Sequence, residues 1–314
     1  MMPVRFFQKL FSHILFSMLL LCVLSCGGGG EQAAETSPAP PESGGKSTPA
    51  RIISMAPSIT EIVFGLGLGD NVVGVTDFCD YPPEALKKRR IGGVVNPSME
   101  TIVALDPDLV LALPSATHES LFRSLRLLGI RVVTLPNDTL DQLFGAIRRI
   151  GETTGREAEA EFMTGELRAA IEGVREKVGD APRRKVMFVV GSEPLFVAGG
   201  GTFINEIIEV AGGENIARNS MSKYPQIGIE EIVSRAPDVI LYTSLNFELT
   251  REQEKAAKKL WSAYPSIPAV KNGEIHGLVA DHVTLPGPRL AIGVLETARA
   301  IHPEKFLERH SVGD

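Results

Sequence analysis

The sequence predicts an α/β protein of two βα sandwich lobes, each built on a parallel sheet, joined by one long backbone helix with a cleft between the lobes. Three observations carry this. First, residues 99–111 (METIVALDPDLVL) are echoed at 229–241 (IEEIVSRAPDVIL), with identities at Glu100/Glu230, Ile102/Ile232, Val103/Val233, Pro107/Pro237, Asp108/Asp238 and Leu111/Leu241. A spacing of 130 residues is too long for a solenoid, whose units run roughly 20–50 residues, so the echo marks two similarly built lobes. Second, short apolar runs alternate with helical patterns, as in parallel sheets covered on both faces. Third, Met163, Leu167, Ala170, Ile171, Val174 and Val178 recur at helical spacing between charges. They predict one helix over 155–179, about 24 residues and roughly 36 Å long. It has no repeat partner, and a connector this stiff permits only a small rotation of one lobe against the other.

In chain order, the first 25 residues are a targeting segment. Arg5 and Lys9 precede the apolar run 10–24, which has signal-peptide length and is too short for a comfortable membrane span. Ser25-Cys26, directly after that run and followed by four glycines, resembles a bacterial lipobox. The resemblance implies cleavage before Cys26 and a diacylglycerol on its thiol; an ordinary signal peptide or an uncleaved anchor is the alternative. Cleavage removes Arg5 and Lys9 and no acid, moving the formal charge from −6 to −8. That balance argues against a nucleic-acid partner. Residues 26–50 contain no aliphatic side chain larger than alanine and form a lipidated, flexible tether. Cys22 leaves with the signal and Cys26 carries lipid, so Cys79 is the one cysteine of the fold and has no disulfide partner. It is read as a small, half-buried residue.

The first lobe spans 51–154. Ile52, Ile53 and Met55 make a strand; Ser58 or Thr60 caps a helix over about 60–67, with Glu61 in its first turn. A strand at 71–75, helix 99–105, strand 109–113, helix 118–128, strand 130–135 and helix 139–154 follow. After the backbone helix (155–180), the second lobe, 181–314, repeats the plan. Strand 185–190 leads through a glycine-rich turn to helix 202–211; helix 229–235, strand 238–242, helix 251–261, strand 275–279 and helix 288–302 complete it. Two such lobes enclose a cleft suited to a small molecule.

The tether, the two lobes and the single connecting helix resemble the helical-backbone class of bacterial ABC-importer substrate-binding proteins, most closely its cobalamin-binding members. The matching stretches are 52–62 (IISMAPSITEI), 80–83 (DYPP), 100–110 (ETIVALDPDLV), 212–216 (GGENI), 224–227 (YPQI) and Ala236-Pro237-Asp238. They cover about 51–305 and are more specific for the class than for the ligand. The resemblance implies an extracytoplasmic monomer without catalysis or an intrinsic cofactor. It is held at a bacterial membrane, in the periplasm if the cell is Gram-negative, and delivers its ligand to a permease dimer with ATPase subunits. Gly27 in place of Asp after the lipidated cysteine hints at the outer membrane. The ligand implied is cobalamin or a related corrinoid, with haem and a ferric siderophore left open.

The resemblance also implies roles for individual residues. Glu100 and Glu230 each lie in the first turn of a short helix, where a carboxylate meets the positive helix end favourably. By resemblance each docks on arginines of the permease, one peg per lobe. Ser58, Tyr81, Val94, Phe196, Tyr224 and Asp281 line the cleft. The cobalamin-binding members carry tryptophans where this chain has Val94 and Tyr224, and an arginine where it has Leu285, so one wall for a flat macrocycle is reduced. Glycines 199–201 would let backbone approach a ligand closely; no Gly-Lys-Ser/Thr follows, which excludes a phosphate loop. Arg289 is read as a structural residue capping or preceding the last helix. The candidate cleft turns (56–60, 79–83, 94–98, 194–201, 222–227) hold no arginine and only Lys223, which disfavours an anionic siderophore. His118, His276 and His282 show no metal-ligand spacing. The rival from another class, a secreted two-lobed hydrolase or chelatase, needs a convergent acid–base or metal set that the sequence does not display.

Overall fold

The computed structural model describes residues 49–244 and 250–307; the signal segment, Cys26 and the tether up to residue 48 lie outside them. The first lobe contains β1 (Ile52–Ser54), β2 (Val72–Val75), β3 (Arg89–Arg90), β4 (Leu109–Ala112) and β5 (Arg131–Thr134). They form one sheet in the order β3-β2-β1-β4-β5, parallel throughout. Helices α1 (Pro57–Gly65), α2 (Met99–Ala104) and α3 (Glu119–Leu127) return the chain between strands, and α4 (Leu140–Thr154) follows the last of them.

The start of α1 differs from expectation. Pro57, whose fixed φ suits a first helical turn, opens the helix, and the N-cap Ala56 has no side chain to cap with. Neither Ser58 nor Thr60 is a cap. Both sit inside the helix and are buried. The Thr60 hydroxyl bonds Ala56 O (3.1 Å) and Cys79 Sγ (3.1 Å), and Thr76 Oγ1 approaches the same sulfur at 3.1 Å. Cys79 is therefore wholly buried, not half-buried, and burial pushes its thiol pKa up. Alkylation of Cys79 at mildly alkaline pH should be at least about 100-fold slower in the native protein than in denaturant, because access needs an opening of the core. Comparable rates in mass-spectrometric labelling would contradict the burial.

The helix α5 (Glu157–Val178) has 22 residues, hence a length of about 33 Å. Its buried face is Ala160, Thr164, Leu167, Ile171, Val174 and Val178, a helical stripe in which the Thr164 hydroxyl is satisfied by Ala160 O at 2.8 Å. One continuous apolar core runs from Ile59 and Ile62 of the first lobe through this stripe to Phe188 and Ile204 of the second. At roughly 1.5–3 kcal/mol for each fully buried aliphatic side chain, α5 is welded to both lobes rather than hinged between them.

The second lobe contains β6 (Arg184–Ser192), β7 (Leu195–Val197), β8 (Gly213–Asn215), β9 (Val239–Ser244) and β10 (Ile275–Val279). Its order is β10-β9-β6, with β8 beside the first half of β6 and β7 beside the second. β8, β9 and β10 join the sheet in parallel, but β7 turns back antiparallel to β6, a hairpin arm that the first lobe lacks. The helices are α6 (Phe203–Val210), α7 (Ile229–Arg235), α8 (Arg251–Trp261), α9 (Pro268–Asn272), α10 (Ala280–Val283) and α11 (Leu290–Ile301).

The repeated segment has a structural reason beyond its apolar positions. Asp106 and Ala236, which precede the matched prolines, are the two described non-glycine residues with positive φ (44° and 49°). Each reverses the chain between helix and strand. The matched aspartates then do the same work twice: Asp108 Oδ2 accepts the Ala50 and Arg51 N–H groups (2.9 Å each), and Asp238 Oδ2 accepts the Lys185 N–H (2.8 Å). Each carboxylate anchors the start of the neighbouring central strand.

Candidate functional site

In open parallel α/β sheets a crevice forms outside the carboxyl ends of the strands. Ser58 follows β1, Tyr81 follows β2, Val94 follows β3, Tyr224 lies beyond β8, and Asp281 follows β10. Phe196 lies on β7 itself. By chain order all six expected cleft residues thus lie in segments that follow strands or, for Phe196, in the arm beyond β6.

The seam between the lobes is polar and closed by named pairs. Glu61 of α1, only 3% exposed, accepts two bonds from Arg289, at 2.6 and 3.0 Å. Arg289 also reaches Asp281 at 3.3 Å, and its guanidinium lies 4.2 Å from the Tyr81 ring centroid. Further along the seam, Asp138 pairs with Lys223 (2.7 Å), the Phe203 N–H bonds Asp138 O (2.5 Å), and the Leu140 N–H bonds Glu206 Oε2 (2.6 Å); Asn137 donates to Ser58 Oγ (3.3 Å) within the first lobe. Burial pushes the Glu61 carboxyl above its ordinary pKa, opposed by the hydrogen bond and charge of Arg289. Burial, then the Asp138 charge, pushes the Tyr224 phenol up.

The expected residues therefore divide. Tyr81 and Asp281 converge on Arg289, whereas the Ser58 hydroxyl is tied to Asn137 of its own lobe. Tyr81 keeps 42% of its surface open, whereas Tyr224 is half-buried against the central core. The Phe196 strand is stitched to the Tyr224 loop through Val197 N–H to Pro225 O and Ile227 N–H to Leu195 O, both 3.1 Å. Val94 stands apart, half-buried on a turn closed by Ser98 N–H to Ile91 O at 2.7 Å.

Two expectations are corrected. Glycines 199 and 200 serve the chain's own packing: a Cβ at Gly199 would lie 2.5 Å from Ser222 O, and one at Gly200 2.0 Å from Arg218 O. Arg289 occupies the N-cap of α11 without a side-chain cap bond and instead bridges the lobes, so an arginine does stand at the seam. The local sequence could not reveal a pair 228 residues apart. A signal existed at Glu61, an acid flanked by Ile59, Ile62 and Val63 on a helix, which calls for a buried cation.

Glu100 and Glu230 are exposed and have no ion-pair partner among the described residues. α2 and α7 run into the amino ends of β4 and β9, so their first turns return to the rim bearing the strand carboxyl ends. Beside each glutamate a matched valine, Val103 or Val233, is 39% exposed. Two shallow concavities, of about 710 and 610 Å³, flank α5 instead, and none of the eight residues named for the cleft and rim lines either. No group of three or more His, Cys, Asp or Glu side chains converges among the described residues. His118 meets Val95 O, His276 meets Glu274, and His282 meets Glu296.

A two-lobed frame with a polar seam beside the strand ends and one long connecting helix suits a solute binder, and residues 52–281 match the family described as periplasmic binding protein. The chain belongs to that family. It is 34% identical over 271 residues to an uncharacterized ABC transporter substrate-binding lipoprotein of Bacillus subtilis, covering 84% of this chain and 83% of the relative. The solved periplasmic vitamin B12 binding protein of Vibrio cholerae superposes with a TM-score of 0.72 at 27% identity, covering 83% of this chain and 99% of that one. The periplasmic heme-binding protein of Roseiflexus sp. RS-1 superposes with a TM-score of 0.71 at 26% identity, covering 81% and 98%. This periplasmic binding protein is a substrate-binding protein of the ABC-transporter type, with two lobes whose sheets are parallel apart from β7.

Proposed function

We propose that the protein is a lipid-anchored, extracytoplasmic solute binder that captures cobalamin or a related corrinoid in the interlobe cleft and hands it to an ABC importer without chemistry on it. The observation that carries this reading is the common rim: the Tyr81 ring, backed by Arg289 yet 42% exposed, over the seam, and two exposed glutamates at matched places on the two lobes, without an ion-pair partner among the described residues. Tyr81 offers a macrocycle a flat apolar surface. Glu100 and Glu230 offer a two-fold transmembrane partner one carboxylate per half, a charge pattern that orients docking and raises the on-rate. Ser58, Val94, Phe196, Tyr224 and Asp281 complete the cleft in this reading. The likeness to the Vibrio vitamin B12 binder supports the ligand, and the lipobox with the Bacillus lipoprotein relative supports the anchor on Cys26.

Titration calorimetry with cyanocobalamin tests the ligand. Saturable heat with a micromolar or tighter Kd is expected. No heat at that level discards the corrinoid and leaves the importer role standing. Haem, which the Roseiflexus relative is described as binding, and a ferric siderophore are run beside it.

A further inference from the structure

The cations along the seam are already neutralised, and this determines what rim chemistry a ligand there can carry. Arg289 is held by Glu61 at 2.6 Å and by Asp281 at 3.3 Å. Lys223 is held by Asp138 at 2.7 Å. Arg90, behind the Tyr81 loop, is held by Asp80 at 3.3 Å and by the carbonyls of Thr76 (2.7 Å) and Cys79 (3.0 Å). Three cations thus face these four carboxylates and Glu206, five in all, a formal charge of −2. Arg289 has little freedom to turn: its side chain is 12% exposed, with Glu61 on one side and the Tyr81 ring on its face.

We infer that the cleft discriminates by rim charge, accepting planar tetrapyrroles edged with neutral amides and rejecting those edged with carboxylates. Arg289 is the positioning residue of this filter. Its charge is spent on Glu61 and Asp281, so it holds Tyr81 in place and leaves no guanidinium for an incoming carboxylate. A carboxylate placed here meets Asp281 and Asp138 and must break an existing pair to find a cation, whereas an amide can donate its N–H groups to those same acids. The inference rests on the interlobe cleft being the binding site proposed above.

The test uses the full chain in mild detergent and two matched ligand pairs, each differing only or chiefly in rim charge. Dicyanocobinamide, with an amide rim, is compared with dicyanocobyrinic acid, with a carboxylate rim; haem is compared with its dimethyl ester. In the wild type the amide corrinoid should bind at least about 100-fold tighter than the acid, and the preference should shrink with added salt, since it is electrostatic. Asp281→Asn removes one acid and loosens Arg289, and should narrow the preference about tenfold while thermal unfolding stays near wild type. If the corrinoids fail to bind but the haem ester outbinds haem, the corrinoid assignment falls and the filter stands. If the acid binds within about threefold of cobinamide, the filter falls and the corrinoid assignment stands. Absence of binding by either pair, or a preference unmoved by both salt and Asp281→Asn, overturns the inference.

Discussion

Replacing Arg289 by alanine should cost about 3–5 kcal/mol of stability near pH 8, and less as the pH falls, because the substitution strands a buried carboxylate. Glu61 is 3% exposed and faces apolar neighbours on α1, and its two bonds come from the one guanidinium. Burial already raises its pKa against the pull of Arg289, and without Arg289 the rise is larger. A carboxyl whose folded-state pKa stands above its unfolded value weakens the fold at higher pH. It stops doing so as the pH falls through the folded pKa, because the folded chain then takes up a proton that the unfolded chain does not. The deficit in Arg289→Ala should therefore narrow on acidification toward about pH 5. Glu61→Ala behaves differently. It strands a guanidinium that stays protonated throughout, with Asp281 at 3.3 Å as its remaining partner, so its deficit lacks that relief. Urea unfolding followed by circular dichroism across this pH range measures both. A loss below about 1 kcal/mol for Arg289→Ala, or one that does not vary with pH, would mean that the pair does not hold the lobes together.

Glu100→Ala combined with Glu230→Ala should leave ligand affinity and stability intact while reducing uptake into cells at least about tenfold. Both side chains are exposed and lack ion-pair partners among the described residues, so their truncation should move stability by no more than about 0.5 kcal/mol. Neither touches the Arg289 seam. In the proposed docking, what is lost is charge complementarity to the permease, and each 1.4 kcal/mol withdrawn from docking is a factor of ten in occupancy. The single substitutions should each give a partial defect, because in the proposed docking the two lobes present the same carboxylate to a two-fold partner. The measurement is transport by cells producing the variant, beside calorimetry on the purified protein. Ligand affinity lost in the double variant, or uptake preserved, would remove these residues from the docking surface.

How much of this was legible beforehand depends on the distance over which each feature is encoded. The two lobes, the alternation of strands and helices and the helix α5 were readable because hydrophobic period is local: Leu167, Ile171, Val174 and Val178 announce a buried stripe within one segment. The doubled motif announced the duplication, and in Asp106, Ala236, Asp108 and Asp238 it carried the means of building each lobe. The hairpin arm β7 was not readable, because three residues after a cis Glu193–Pro194 bond carry too short a pattern to show that they turn back. The glycines at 199 and 200 were readable as a demand for close approach, but not for what approaches; the answer is the chain's own 218–222 loop.

The sequence by itself determined the class of protein, the lobes, the connecting helix and the matched glutamates, since each is written in a local pattern or a local repeat. Only the tertiary structure decided the character of the cleft. The partners of Glu61 and Asp138 in the first lobe come from Arg289 and Lys223 in the second. A buried charge is tolerable only with its counter-ion, and no rule of spacing places a counter-ion 228 residues away. Folding the second lobe against the first brings them together, and with them the neutralised seam over which Tyr81 stands.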